Sequence, residues 1–334
     1  MQTESVLVQN LCVPCACRCR YCLLSWDGRP VGIDWERGTA FARRFRDWLA
    51  QNRPELRFSF TFGYSMEHPR LDEALRFLRE IGSPQASFLQ CDGLRMRAEN
   101  ECLSFSKFLA EQGIRQLNFT FYGLPDYHDR FAGRAGDFEL LLRLMRAAAS
   151  VGLGCSAGIP LTEENVGQAQ ALCTLIEART PCHNLSFFIP HEEGRGVSLD
   201  GVRLTEASFS ALPAALQSRL NRTLYRPERE WLTGTNYREE TRRMLLLSLR
   251  PDTIERYCAM PFDTLLRELE ELDDAYYATF PSFRELAEHY GDPTGGRFYR
   301  QRDLYAHYRR LYSRDHSLAV YDVTDERQSG TRRY

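Results

Sequence analysis

No apolar run in the 334-residue chain approaches the length of a membrane span. Behind Met1, the residues Gln2-Thr3-Glu4-Ser5 lack the basic flank and apolar stretch of a secretory leader. Charge of one sign is also missing: 43 Lys and Arg stand against 45 Asp and Glu, interspersed rather than blocked. Such a surface offers no electrostatic footprint for nucleic acid or an anionic membrane, so neither is an expected partner. No low-complexity segment stands out. The 11 cysteines are odd in number, and the expected setting is a reducing, cytoplasmic one. A hydrophobic content of 43% with length for one large or two medium domains describes an ordinary globular protein.

The cysteines are unevenly placed. Five of the 11 fall in Cys12-Val13-Pro14-Cys15-Ala16-Cys17-Arg18-Cys19-Arg20-Tyr21-Cys22, just after the apolar run Val6-Leu7-Val8. Sulfurs so close on one loop can converge on a metal or cluster. Cys15-x3-Cys19-x2-Cys22 is the one triple in the run with that spacing, because three-residue gaps from Cys12 and Cys17 land on Ala16 and Tyr21. Three thiolates are one short of the four that close an ordinary 4Fe-4S cluster, and an unliganded iron is an open site for chemistry. A four-thiolate zinc site on Cys12, Cys15, Cys19 and Cys22 is the competing reading, although only three residues separate its two pairs. Cys12 and Cys17 read as small buried residues.

The alternation of apolar and amphipathic segments is that of a parallel α/β fold. Strands are expected at Ser5–Leu11, Leu56–Phe62, Gln85–Cys91, Arg115–Phe121, Leu153–Ile159 and Leu185–Pro190. Helices are expected at Trp35–Gln51, Leu71–Ile81, Ser104–Gln112, Phe138–Val151, Asn165–Ala178 and Leu204–Leu220. Beyond 221 the pattern turns helical, with segments at Glu239–Leu249, Phe262–Tyr277, Ser282–Tyr290 and Leu304–Tyr312, and residues 314–334 read as a surface tail. The expected organisation is a unit over 1–220, a helical region over 221–313 covering it, and that tail. Periodicity alone leaves an open sheet and a barrel equally available.

The cysteine spacing, with Tyr21 before its last member, resembles the signature of the radical S-adenosylmethionine (SAM) superfamily. The resemblance implies a partial (β/α)6 TIM-like barrel and a 4Fe-4S cluster on Cys15, Cys19 and Cys22. It implies SAM on the fourth iron and one-electron cleavage of SAM to a 5′-deoxyadenosyl radical that abstracts hydrogen from a substrate. The electron comes from an external donor. His68-Pro69-Arg70-Leu71 matches the sequel to the family's Gly-Gly-Glu-Pro motif, which sets Phe62-Gly63-Tyr64-Ser65 over the motif itself with one glycine retained. Gln90-Cys91-Asp92-Gly93 resembles a Thr-Asn-Gly segment. The run from Asn118 to Phe138, with Tyr127-His128-Asp129-Arg130 and Gly133-Arg134-Ala135-Gly136-Asp137-Phe138, resembles sulfatase-maturing and peptide-modifying members. Carried over by position, Thr120 hydrogen-bonds SAM, Arg130 or Arg134 pairs with its carboxylate, and Ser156 and Asn165 lie near its ribose. Each has a plainer reading as a solvated or locally bonded side chain.

The likeness covers about residues 5–190. After Cys182 only Cys258 remains, too few for the auxiliary clusters of many relatives. Cys258 is a candidate hydrogen donor in an epimerase, or a buried small hydrophobe. Glu192, Glu193 and Arg195 are candidates for a polar substrate contact, while His128 and His191 have no partner visible in the sequence. Trp231, Tyr237, Tyr276 and Tyr277 line a pocket or pack a core. The expected protein is a cytoplasmic radical SAM enzyme acting on a peptide or small natural-product intermediate. A non-catalytic SAM or cluster-binding scaffold and a zinc-binding protein are the alternatives.

Overall fold

The structure is a computed structural model that describes residues 1–23, 31–63, 66–83, 87–233, 236–238 and 241–321. Six parallel strands appear where the pattern placed them, with ends displaced by at most three residues. They are Gln2–Gln9 (β1), Arg57–Thr61 (β2), Phe88–Gln90 (β3), Gln116–Thr120 (β4), Gly154–Pro160 (β5) and Leu185–Phe188 (β6). Between them run Trp35–Asn52 (α1), Leu71–Glu80 (α2), Glu99–Glu111 (α3), Pro125–Ala132 (α4), Asp137–Ser150 (α5) and Ala169–Arg179 (α6). The first of these starts where Asp34 accepts from Arg37 N at 2.8 Å, and buries Phe41, Phe45 and Leu49 on one face. Its Phe45 packs on Phe58 of β2, so the helix covers the strand it precedes.

Two expectations fail. Leu204–Leu220 is two short helices, Glu206–Ser210 (α7) and Ala214–Gln217 (α8), because Pro213 has no N–H for a continuous ladder. The second failure is larger. The expected helix over Glu239–Leu249 lies partly outside the described residues, and its described part holds a strand, Arg242–Ser248. Met244, Leu245, Leu246 and Leu247 are all buried. A short continuous apolar run has no period to tell a buried strand from a helix segment.

The rest of the C-terminal region is mainly helical: Glu228–Leu232 (α9), Ile254–Ala259 (α10), Phe262–Tyr277 (α11), Phe283–Tyr290 (α12) and Gln301–Asp315 (α13). With the two-residue strands Arg226–Pro227 (β7) and Phe298–Tyr299 (β9), which pair antiparallel, the strand at 242–248 is β8. The expected tail begins inside α13, and 322–334 lie outside the described residues.

The parallel strands form two arcs, β2-β1-β8 and β3-β4-β5-β6. β8 runs parallel to β1, Val6 opposite Leu245 and Val8 opposite Leu247. The C-terminal region thus contributes a strand beside the first one as well as helices outside. One apolar core joins both arcs to α1, α2, α5, α6 and α11. The loop after β1 bonds through its backbone to the segments that follow β2, β3 and β6, so the C-terminal ends of both arcs form one rim, where α/β barrels build sites.

Candidate functional site

The cysteine loop lies on that rim, directly after β1. Segments that follow several other strands, the C-terminal end of α4 among them, hold it by its backbone. Val13 N donates to Phe62 O at 3.3 Å, Ala16 N to Gly93 O at 3.0 Å, Arg18 N to Ala132 O at 2.7 Å and Arg20 N to Phe131 O at 3.0 Å. From the loop after β6, Arg195 N donates to Cys22 O at 2.9 Å. Arg18 folds back to donate to the carbonyls of Cys15 (2.8 Å) and Cys17 (2.7 Å).

Gly93 fixes the seat of Cys15. Its φ of +67° is left-handed, and a Cβ there would collide with Cys15 Sγ. Gly63 has φ +148°, where a side chain is strained, and its missing Cβ leaves room for Val13 O. Tyr64 and Ser65 lie outside the described residues. Phe62 is a core residue, edge-on to Trp35 at 5.6 Å, and faces the rim only through its carbonyl.

All the cysteines of the loop are free thiols. Cys15, Cys17, Cys19 and Tyr21 pack with Tyr122, Phe131, Ala132 and Leu199 in a small apolar cluster, whereas Cys12 packs with the main core. That separation divides the four-thiolate zinc set. Hydrogen bonding with Cys17 and burial both push the Cys15 thiol up. Cys17 is favoured as a thiolate by Cys15, but Cys19, burial and Asp137 outweigh this and push it up. A buried thiolate here needs a cation beside it, and metal binding releases its proton. As a donor set, three thiols on one loop, two of them, Cys15 and Cys19, in an apolar cluster with Tyr21 and Tyr122, suit an iron–sulfur cluster. Cys22, half-buried at the far end of the loop, shares the turn through its N–H to Cys19 O at 3.2 Å.

Behind the loop, polar side chains cross β3, β4 and β5 in register, Gln90 opposite Asn118 and Asn118 opposite Ser156. Ser156 Oγ donates to Asn118 Oδ1 at 2.8 Å, and Asn118 Nδ2 to Gln90 Oε1 at 2.6 Å. The chain ends at Asp92, which accepts from Thr120 N at 2.9 Å and Thr120 Oγ1 at 2.7 Å. Burial raises the Asp92 carboxyl to about 6 against the opposing pull of Thr120 and Gln90. The Tyr21 phenol is pushed well up by burial, then by Asp92 and Cys19, with Tyr122 and Thr120 as hydrogen-bonding neighbours.

The structure therefore brings Tyr21, Thr120, Cys15 and Cys19 together and adds Asp92 and Tyr122. The other sequence candidates are differently placed. Ser156 lies a strand away within the polar chain. Asn165 is saturated, accepting from Thr162 N at 2.8 Å and donating to Tyr122 O at 2.6 Å and Pro160 O at 2.7 Å. Arg130 is exposed on α4. Arg134 is committed to Asp137 and to Leu94 O, so an internal carboxylate occupies the group that the resemblance gives to the SAM carboxylate. Cys258 is half-buried on α10 against the main core, with Arg37 of α1 beside its thiol.

His128, without a partner in the sequence, is fully buried with Nδ1 accepting from Tyr122 N at 3.1 Å and Nε2 at 3.1 Å from Asp137 Oδ2. Burial raises Asp137, yet His128 and Arg134 outweigh it and hold the carboxylate below its usual range. Only their positions at strand and helix ends could have marked Asp92, Tyr122 and Asp137. Glu192, Glu193 and Arg195 follow β6. Glu192 is buried between Arg203, Arg310 (2.5 Å) and His307 (3.1 Å). With Asp200 and His307 it forms a trio whose ligand atoms lie within 4.8 Å of one another, but the two guanidiniums already neutralise it. Trp231 belongs to a second core around Tyr299 and Tyr308, Tyr237 stacks on Phe283 of that core at 3.7 Å, and Tyr276 and Tyr277 pack on Arg309.

No family model and no curated protein matches the chain. Among solved structures, it is similar to Streptococcus suis SuiB bound to precursor peptide SuiA, with a TM-score of 0.50 and 12% identity over 74% of this chain and 58% of that one. SuiB bound to S-adenosylmethionine matches at TM-score 0.48, 13% identity, 73% and 59% coverage. Coproporphyrinogen III oxidase (HemN) from Escherichia coli matches at 0.40, 13% identity, 65% and 50% coverage. Neither of these lower scores adds to the first. The chain spans less than two thirds of the SuiB chain, and over the shared part it has that protein's fold, a partial parallel α/β barrel.

Proposed function

We propose that the chain is a radical SAM enzyme whose 4Fe-4S cluster is held by Cys15, Cys19 and Cys22. The observation that carries this reading is the seating of the C-x3-C-x2-C loop. Its backbone is bonded to the loops after β2 and β3, to the C-terminal end of α4 and to the segment after β6, while its cysteines form no disulfide and Cys15 and Cys19 pack among Tyr21, Tyr122 and Phe131. When bound, the cluster and SAM would supply a one-electron reductive cleavage and a carbon radical able to abstract hydrogen.

The chain's own residues provide the surroundings. Tyr21, Tyr122 and Phe131 pack around the Cys15 and Cys19 side of the loop. Asp92, fixed by Thr120 and Gln90, places a carboxylate at the rim beside Tyr21, where a cationic sulfonium or ammonium is favoured. Gly63 leaves its loop's backbone accessible, the role the resemblance gives the Gly-Gly-Glu-Pro type segment. Asn165 and His128 hold the backbone of Tyr122 from both sides.

A peptide is the proposed substrate class, supported by the shared fold with SuiB, which was solved with a precursor peptide. A soluble one-electron donor is a required partner, and the cytoplasm the proposed location. No described helix is long and apolar enough to cross a membrane.

Anaerobic reconstitution tests the reading. The expected result is about four iron and four sulfide per chain and 5′-deoxyadenosine once SAM and a reductant are added. A cluster without deoxyadenosine would make the chain a scaffold, and zinc without sulfide a zinc-binding protein.

A further inference from the structure

Tyr122 is an unusually constrained side chain. Its ring is stacked with His128 at 5.0 Å and Phe131 at 4.6 Å, and Tyr21 stands edge-on at 5.4 Å. Its N–H donates to His128 Nδ1 and its carbonyl accepts from Asn165. Because His128 Nδ1 is an acceptor, Nε2 carries the proton and donates to Asp137, whose other oxygen pairs with Arg134. The ring therefore has little freedom, and its hydroxyl lies 3.1 Å from Cys19 Sγ. The geometry makes the hydroxyl the donor and the sulfur the acceptor.

We propose that the Tyr122 hydroxyl is a positioning residue for the cluster, donating a hydrogen bond to the Cys19 thiolate that raises the cluster's reduction potential. This rests on the iron–sulfur reading above. A cluster gains negative charge on reduction, and a donor aimed at one of its sulfurs stabilises the reduced state more than the oxidised one. The bond also ties the potential to the end of β4, whose Thr120 sits beside Asp92 at the same rim.

Tyr127 provides the comparison within the same aromatic cluster. Its ring is 5.9 Å from Phe131, but its hydroxyl donates to Glu164 at 2.8 Å rather than to a sulfur. The experiment is an EPR-monitored redox titration of the reconstituted full chain with Tyr122→Phe and Tyr127→Phe alongside wild type. Tyr122→Phe is expected to bind the same iron and to lower the reduced-to-oxidised ratio about tenfold at fixed potential, about 59 mV for one electron. Tyr127→Phe is expected to titrate with wild type. An unmoved Tyr122→Phe, or an equal shift in both variants, overturns the proposal. If Tyr122→Phe does not hold iron, 3-fluorotyrosine at position 122, a stronger donor, is expected to raise the potential, and no rise overturns it. Wild type that takes up no iron defeats the enzyme reading and this proposal with it. Wild type with a cluster and an unresponsive Tyr122→Phe defeats this proposal alone.

Discussion

Two loops on the same rim are built on opposite principles. The cysteine loop is held through main-chain bonds to Phe62, Gly93, Ala132, Phe131 and Arg195, and its sulfurs are left uncommitted by any disulfide. The loop after β6 is held by side chains. Glu192 is fixed by Arg203, His307 and Arg310, and His191 by the Arg300 guanidinium. The difference separates the two roles. A segment that must offer side chains to a ligand has to be anchored by its backbone, whereas one that commits its side chains to internal ion pairs anchors the C-terminal helices and has little left to bind with.

The sharpest way to break this comparison is to remove sulfurs one at a time. Alanine at Cys15, Cys19 or Cys22 is expected to drop bound iron to background after anaerobic reconstitution, while Cys12→Ala and Cys17→Ala retain it. Cys12 packs with the main core, and Cys17 Sγ donates to Asp137 at 3.7 Å. Equal iron loss in Cys12→Ala would return the zinc-type set to consideration.

Glu192→Gln tests the other loop. Removing one partner of a buried pair leaves guanidiniums uncompensated, so unfolding at pH 7 is expected to become easier by about 3 kcal/mol, with iron loading intact. The sign with pH follows from the carboxylate. Burial raises its pKa, but His307, Arg203 and Arg310 outweigh it and hold the folded value below the unfolded one. Its contribution is full above the unfolded value and is lost as pH falls through the folded one. The gap between wild type and Glu192→Gln in urea titrations should therefore hold from pH 7 to about pH 5 and narrow below the unfolded value of about 4.3, on down to about pH 3. A constant gap would mean that the charge is not what holds this loop.

A smaller effect is expected at Gly93. Alanine there meets the left-handed φ, worth about 1–2 kcal/mol, and its Cβ falls on Cys15 Sγ. Stability should drop by that order, and iron per chain should drop with it. Full occupancy in Gly93→Ala would show that the seat of Cys15 is not set by this contact.

Legibility in the sequence follows the same division. The βα alternation and the cysteine spacing are local patterns, so six strands and the loop could be read without coordinates. β8 was missed because Met244–Leu247 is an unbroken apolar run, and the break in 204–220 was marked by Pro213 yet overridden by periodicity. At the site, Tyr122 and Cys19 are 103 residues apart, and Asp92 and Thr120 are 28 apart. Their meeting depends on β3 and β4 ending at one rim beside the loop after β1, which no short window of sequence contains. The resemblance supplied Thr120 and Arg134 by position, but not that Asp137 already pairs with Arg134.

The smallest effect is expected at Cys258, and it sharpens the contrast between the cysteines of the rim loop and one carried by a helix. Its thiol packs at the contact of α10 with α1, beside an Arg37 guanidinium that also pairs with Glu255 at 2.6 Å. Replacing it with alanine removes one half-buried sulfur, a change worth less than about 1 kcal/mol, and both iron content and deoxyadenosine formation should match wild type. A hydrogen donor would behave differently. Deoxyadenosine would still form, because abstraction precedes quenching, but an epimerised product carrying solvent deuterium would vanish. Loss of that product alone in Cys258→Ala would place this thiol in the substrate's path and overturn its reading as a packing residue.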